Sequence, residues 1–286
     1  AIQNGCDTIV TEGTSQSNHC RATAAACAKL GLKAVLLFRP PPGDSVVGNH
    51  LLDALFEAET RSYTREALSA RKEEIIAEVL DELRAQGRKP RFTPAGASEP
   101  IGCLGYAEAA RELIAQCAKH GIPDCDVVLA VSSGGTYAGL LLGTLPHAGP
   151  APTVHAVPVS DDVAFHRENV GQLCRNAIAQ FGLNVSFDES AMRFIDGYVG
   201  AGYAKPYAEE IEAIRLLAKT EGIVLDPVYT GKAFCALVDA VKAGRLGRNR
   251  PVIFIHTGGI FSDFAWPETL MGANLHTRLE ANAAHA

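Results

Sequence analysis

The sequence predicts an α/β protein with mostly parallel sheets flanked by helices, and three observations carry that prediction. Short β-rich apolar runs alternate with helical patterns from one end of the chain to the other. The helical patterns stop repeatedly at a glycine, at Gly31, Gly87, Gly121 and Gly222. The segments that follow the apolar runs are rich in Ser, Thr and Gly, and open parallel sheets bind ligands beyond the carboxyl ends of their strands.

The strands are expected at 7–11, 33–38, 91–94, 126–131, 153–159 and 251–256. Helices fall between them, at 18–30, 65–86, 102–120 and 209–221, with another opening near Tyr137. Right-handed crossovers make a doubly wound sheet the default topology. Pro40-Pro41-Pro42-Gly43 reads as a rigid surface turn, and low complexity is confined to the Ala-rich tail. The composition changes around residues 95–100. This suggests a smaller αβ domain over 1–97 and a larger α/β domain over 98–286.

The bulk composition narrows the function. A chain of 286 residues with 47% hydrophobic content can bury two sizeable cores. Its net charge of −6 and scattered basic residues argue against a nucleic-acid partner. The arginine cluster at 245–250 reads as a solvated loop. No apolar run is long enough to span a bilayer. The first five residues resemble the last turn of a helix that began earlier, and they lack the pattern of a signal peptide. Eight cysteines, without a CxxC pair or zinc-ligand spacing, read as free thiols in a cytoplasmic, metal-free protein.

Four segments carry candidate chemistry. Ser132-Ser133-Gly134-Gly135-Thr136 follows the strand 126–131 directly and opens a helix. Two glycines let main-chain N–H groups approach an anion, the helix dipole adds to them, and two hydroxyls can donate. Thr14 to His19 holds the matching place after the first strand, where a carboxylate would be favoured, although Ser17 could be a plain N-cap. Asp226 to Lys232 puts Tyr229 and Thr230 on a Pro/Gly-shaped turn. Ile255 to Gly259 ends the last strand with Thr257 and two glycines.

Together these segments resemble the pyridoxal-phosphate enzymes of the D-cysteine desulfhydrase and aminocyclopropane-carboxylate deaminase family. The resemblance runs through TSQSNHCRATAAACAKLGL, AGASEPIGCLGYAEAARE, VSSGGTYAGL, EGIVLDPVYTGKA and FIHTGG, in the family's order. It implies a two-domain fold of the tryptophan-synthase β-like type, fold type II. It further implies that Ser133, Gly134, Gly135 and Thr136 hold the cofactor phosphate. Asn18 would face the pyridine 3′-oxygen, and Ser17, Asn18 and His19 would bind the substrate carboxylate, with Ser17 close to the reacting centre. Tyr203 and Tyr229 would line the substrate side, and Thr230 and Thr257 would lie near the pyridine nitrogen. A small amino acid is the implied substrate and a homodimer the implied assembly.

The deaminase branch has Glu at the position of Thr230 and Leu at that of Thr257, whereas the desulfhydrase branch has Thr at both. A carboxylate near the ring nitrogen favours a pyridinium, and a hydroxyl leaves the nitrogen largely unprotonated. The expectation is therefore α,β-elimination from D-cysteine, giving pyruvate, ammonia and sulfide. L-cysteate and aminocyclopropane-carboxylate are the alternative substrates. The family's Schiff-base lysine belongs to a stretch upstream of QSN, and none of Lys29, Lys33, Lys205 or Lys232 stands in that motif. The start of the sequence suggests that the N-terminal part of the family fold is missing, and a lysine-less pseudoenzyme is the alternative. A non-catalytic phosphate-binding module is the competing class. A Rossmann dehydrogenase is disfavoured by the lack of a full G-x-G-x-x-G.

Overall fold

The computed structural model describes residues 1–39 and 46–272, so the expected Pro40 to Gly43 turn and the Ala-rich tail lie outside the described residues. The chain divides into two compact units, Ala1–Ala97 and Ser98–Ala286.

The first unit is built on β1 (Thr8–Thr14), β2 (Lys33–Arg39), β3 (Glu59–Ser62) and β4 (Pro90–Phe92). They form a sheet of order β3-β2-β1-β4, and every pairing is parallel. The central strand β2 is buried on both faces, and its alternation sorts its side chains between two cores. Val35 and Leu37 join Val10 against Leu68, Ile75, Ile76, Val79 and Leu83 of α3 (Arg65–Ala85). Ala34, Leu36 and Phe38 join Ile9 against Cys20, Ala24 and Cys27 of α1 (Asn18–Leu30). Each fully buried large aliphatic here contributes about 1.5–3 kcal/mol. Helix α1 ends at Gly31, whose φ of 69° supplies the left-handed cap. Strand β3 escapes the pattern reading because it is a polar edge: Glu59 and Arg61 carry its charge, pairing with Lys33 and Glu82.

The second unit repeats the plan with β5 (Asp126–Val131), β6 (Thr153–Pro158), β7 (Arg193–Phe194) and β8 (Val252–Phe254), in the order β7-β6-β5-β8. All pairings are again parallel. Val127, Leu129 and Val131 face a core shared with α4 (Pro100–Lys119), α5 (Gly135–Thr144) and α6 (Val163–Phe181). Val128 faces the other way, onto Ala233, Ala236 and Leu237 of α8 (Thr230–Lys242). Helix α7 (Ala208–Glu221) packs through Ile211 and Ile214 against Leu225. The short α9 (Ile260–Asp263) follows the last strand. Helices α4 and α5 approach closely because Gly139 and Gly143 present no side chain; a Cβ on either would collide with the main chain of α4.

The arginine cluster is not wholly solvated. Arg250 Nη2 pairs with Asp124 at 2.6 Å and also donates to Cys125 O and Thr153 Oγ1, fastening the starts of β5 and β6 together. The eight cysteines are free thiols, and all but Cys6 are buried. Among the described residues no helix is long and apolar enough to cross a membrane.

Candidate active site

In the second unit, the buried strand β5 delivers the chain into Ser132 and Ser133, and Gly134 turns it into α5. Gly134 has φ +92°, a conformation that L side chains rarely adopt. A Cβ there would lie 2.8 Å from Asn169 Nδ2 and 3.2 Å from Leu173 and Val170. A Cβ on Gly135 would lie 2.8 Å from Ser98 Oγ. The turn is thus a cradle that glycine alone leaves open. Helix α5 has no side-chain cap, so the N–H groups of Thr136 and Tyr137 have no intrahelical acceptor.

Hydroxyls ring this turn. Ser98 Oγ accepts from Gly135 N at 3.2 Å and donates to Ser133 Oγ at 2.7 Å. Ser132 Oγ donates to Ser160 Oγ at 3.1 Å, and Asn169 Nδ2 holds the Ser133 carbonyl at 3.0 Å. Ser133 is exposed and Thr136 half-buried. Such a donor set, at the positive end of a ten-residue helix, suits a phosphate dianion. Ser98, Ser160 and Asn169 are additions to the residues expected from sequence. Ser98 could have been found from the AGASEP run, but nothing local marks the other two.

The turn before α8 is organised by Asp226, which is fully buried. Its Oδ2 accepts from Val228 N and Tyr229 N, and its Oδ1 accepts from Thr230 N and from Thr230 Oγ1 at 2.6 Å. Thr230 Oγ1 in turn accepts from Asp226 N. The Thr230 hydroxyl is therefore closed into the turn, its O–H donated to Asp226. Gly259, φ +113°, sits against Asp226; a Cβ there would fall 2.5 Å from the carboxylate. This contact brings the DPVYT and HTGG segments together. Thr257 is exposed at the end of β8. The neighbouring His256 accepts from Gly258 N at Nδ1, leaving Nε2 to donate to Val224 O. Tyr203 and Tyr229 also meet, with hydroxyls 2.5 Å apart and rings edge to face.

In the first unit, Ser17 is the N-cap of α1, its Oγ accepting from Cys20 N at 3.1 Å. Gly13 makes room for it, since a Cβ there would lie 2.8 Å from Ser17 Oγ. The N–H groups of Asn18 and His19 open the helix without intrahelical acceptors. Asn18 Oδ1 accepts from Asn49 Nδ2 at 2.8 Å, which leaves the Asn18 amide to donate. Asn49 begins α2 (Asn49–Leu55), is itself fully buried, and is fixed by Gln16 through two further hydrogen bonds. Thr11 Oγ1 donates to Thr93 O at 2.7 Å, so it must accept from His19 Nε2, also at 2.7 Å. Burial lowers the His19 pKa to about 4, so the ring is neutral. His19 Nε2 is thus committed to Thr11, and the residue's main-chain N–H stands in the first turn of the helix.

Two parallel α/β units, one with a glycine-built turn that suits a phosphate and one with a polar helix N-terminus after its first long strand, describe an α/β protein whose helix ends suit anionic groups. The comparisons make the family specific. A model described as "Pyridoxal-phosphate dependent enzyme" matches residues 1–258. A relative from Pyrococcus abyssi, named "Putative 1-aminocyclopropane-1-carboxylate deaminase", is 42% identical over 272 residues, covering 95% of this chain and 79% of its own. A crystal structure described as an ACC deaminase homologue superposes with a TM-score of 0.83 at 36% identity, over 95% of this chain and 79% of that one. A hydrogen sulfide-producing enzyme from Fusobacterium nucleatum shares the fold, with a TM-score of 0.59 at 18% identity over 90% of this chain and 81% of its own. The chain belongs to the pyridoxal-phosphate dependent enzyme family and has its tryptophan-synthase β-like fold. It is a pyridoxal-phosphate enzyme of the aminocyclopropane-carboxylate deaminase and D-cysteine desulfhydrase type.

Proposed function

We propose that the protein catalyses α,β-elimination on a small β-substituted amino acid, with D-cysteine as the leading substrate. The observation that carries this reading is the Thr230 hydroxyl. A neutral hydroxyl stands at that position, and it donates its hydrogen bond to Asp226, whose own oxygens are engaged by the turn. With Thr257 also neutral, neither position offers a carboxylate to protonate a ring nitrogen. An unprotonated ring suffices when a good leaving group departs from Cβ.

The residues divide the work as follows. The cradle of Ser133, Gly134, Gly135 and Thr136 would hold the phosphate by main-chain N–H groups and hydroxyls. The Asn18 amide, with its oxygen already committed to Asn49, would donate to the 3′-oxygen. The Ser17 hydroxyl and the N–H groups of Asn18 and His19 would bind the substrate carboxylate at the end of α1. Pyridoxal phosphate, when bound, would supply a sink for the electron pair left as the Cα–H bond breaks. By the family resemblance that proton would pass to the Schiff-base lysine, whose motif none of Lys29, Lys33, Lys205 or Lys232 occupies. As the Cβ–S bond breaks, the Tyr203–Tyr229 pair would hand a proton to the departing sulfur. Water then completes the conversion of D-cysteine to pyruvate, ammonia and hydrogen sulfide. The same resemblance extends this reading to a cytoplasmic homodimer.

Aminocyclopropane-carboxylate deamination is the second reading, favoured by the names of the two relatives above 30% identity. Incubating the cofactor-loaded full gene product with D-cysteine, L-cysteate and aminocyclopropane-carboxylate separates the readings. Pyruvate with sulfide from D-cysteine, and no oxobutanoate, is expected. Rapid oxobutanoate release would overturn the choice of substrate. Tight phosphate binding with no pyruvate from any amino acid would reduce the protein to a binding module.

A further inference from the structure

Lys232 is a buried cation that the reading above leaves without a task. It lies on α8 three residues after Tyr229, and its side chain is fully buried. Its Nζ donates to Val199 O at 2.7 Å and to Gly202 O at 2.9 Å. Gly202 immediately precedes Tyr203. One ammonium therefore joins the start of the helix that carries one phenol to the loop that carries the other.

The loop needs such a tie. Residues 197–204 contain left-handed backbone at Gly197, Gly200 and Ala204, and Gly202 has φ +129°. Its internal main-chain bonds are long: Gly202 N to Val199 O is 3.4 Å, and Lys205 N to Gly202 O is 3.3 Å. Both accepting carbonyls are the ones Lys232 holds. A buried ammonium is a poor filler of space, because desolvation opposes its charge. What it adds over an apolar side chain of similar length is three directed N–H donors. Burial pulls the Lys232 pKa down against a smaller opposing pull from Glu210 of α7, whose own carboxyl burial pushes up to about 8, and the Tyr207 ring lies 6.0 Å from Nζ.

We propose that Lys232 is a positioning residue whose ammonium, seated on the carbonyl oxygens of Val199 and Gly202, sets the meeting of the Tyr203 and Tyr229 hydroxyls. The catalytic consequence rests on the phenols carrying the proton as read above; the geometric claim stands without it.

The test labels tyrosine with carbon-13 at Cζ and follows the seven tyrosines of this sequence, and Tyr203→Phe and Tyr229→Phe assign the two resonances. In Lys232→Met, the Tyr203 and Tyr229 signals should move to their unpaired positions, defined by the partner's Phe variant. Those of Tyr63, Tyr106 and Tyr137 should stay. In the cofactor-loaded protein, kcat with D-cysteine should fall on the order of 10–100-fold with KM little changed, as expected when reacting groups are misplaced rather than lost. Lys232→Gln keeps neutral donors and should give a smaller displacement of the same two signals. It decides the matter if the Met variant does not fold. Unchanged paired signals in the Met or Gln variant, or a uniform shift of all seven, would overturn the proposal. A wild-type protein without turnover would defeat the elimination reading, and the tyrosine spectrum would still judge Lys232.

Discussion

The side-chain amide of Asn49 donates a 2.8 Å hydrogen bond to Oδ1 of Asn18. That bond fixes which end of the Asn18 amide is left to act as a donor. Asn49→Leu would free Asn18 to turn and would strand the Gln16 carbonyl that the Asn49 amide now satisfies, while the main-chain bond from Asn49 N to Gln16 Oε1 remains. Pyridoxal-phosphate affinity, measured by equilibrium dialysis, is expected to fall by roughly 5–30-fold, in line with about 1–2 kcal/mol for one misdirected hydrogen bond. Inorganic phosphate, which does not use Asn18, should bind as before. Equal losses for both ligands would show that the substitution acts through general disorder.

Gly134→Ala tests the cradle. The added methyl meets Asn169 at 2.8 Å, and the residue must hold φ +92°. The strain should lower stability by about 1–3 kcal/mol. The more specific expectation concerns the ligand. Wild-type Tm should rise with added pyridoxal phosphate, and that rise should be lost in the variant. Ser98→Ala provides the contrast. It removes the acceptor at Gly135 N and the donor at Ser133 without touching the backbone, so a weakened but measurable rise is expected.

The sequence was most legible where one element is decided by its own residues. Strand β5 and helix α1 match the expected 126–131 and 18–30 at both ends. A strand buried on both faces reads as an unbroken apolar run, and Gly31 marks where the helix must stop. The polar edge β3 and the two-residue β7 carry no such pattern; their pairing partners define them. The candidate site divides in the same way. Ser17 is legible as an N-cap, and Gly134 as a turn that needs glycine. Asn49 and Ser98 act on residues 31 and 37 positions away, a relation only the tertiary fold creates. Lys232 stood in a recognised motif and Gly202 beside a marked phenol, but nothing local tied either to the other or to Val199.

Asp53 offers a pH-dependent test of the first unit. It is fully buried on α2, and neither carboxylate oxygen has a hydrogen-bond partner among the described residues. Burial pushes its pKa from 3.8 up to about 7, against a smaller opposing pull from Arg21. An acid raised in the folded state holds its proton more tightly there than in the unfolded chain. Folding therefore binds a proton between roughly pH 4 and 7, and this group's share of the stability falls as pH rises through that window. Above pH 7 the carboxylate is charged and the full penalty is present. Asp53→Asn removes the ionisation while keeping the shape. Its Tm should exceed that of the wild type at pH 8, by the equivalent of about 1–3 kcal/mol, and the difference should shrink as pH falls and vanish below about pH 3.5, under the unfolded-state pKa of 3.8. A gain of the same size at pH 8 and at about pH 3.5 would mean that packing, rather than the buried charge, is what the substitution changes.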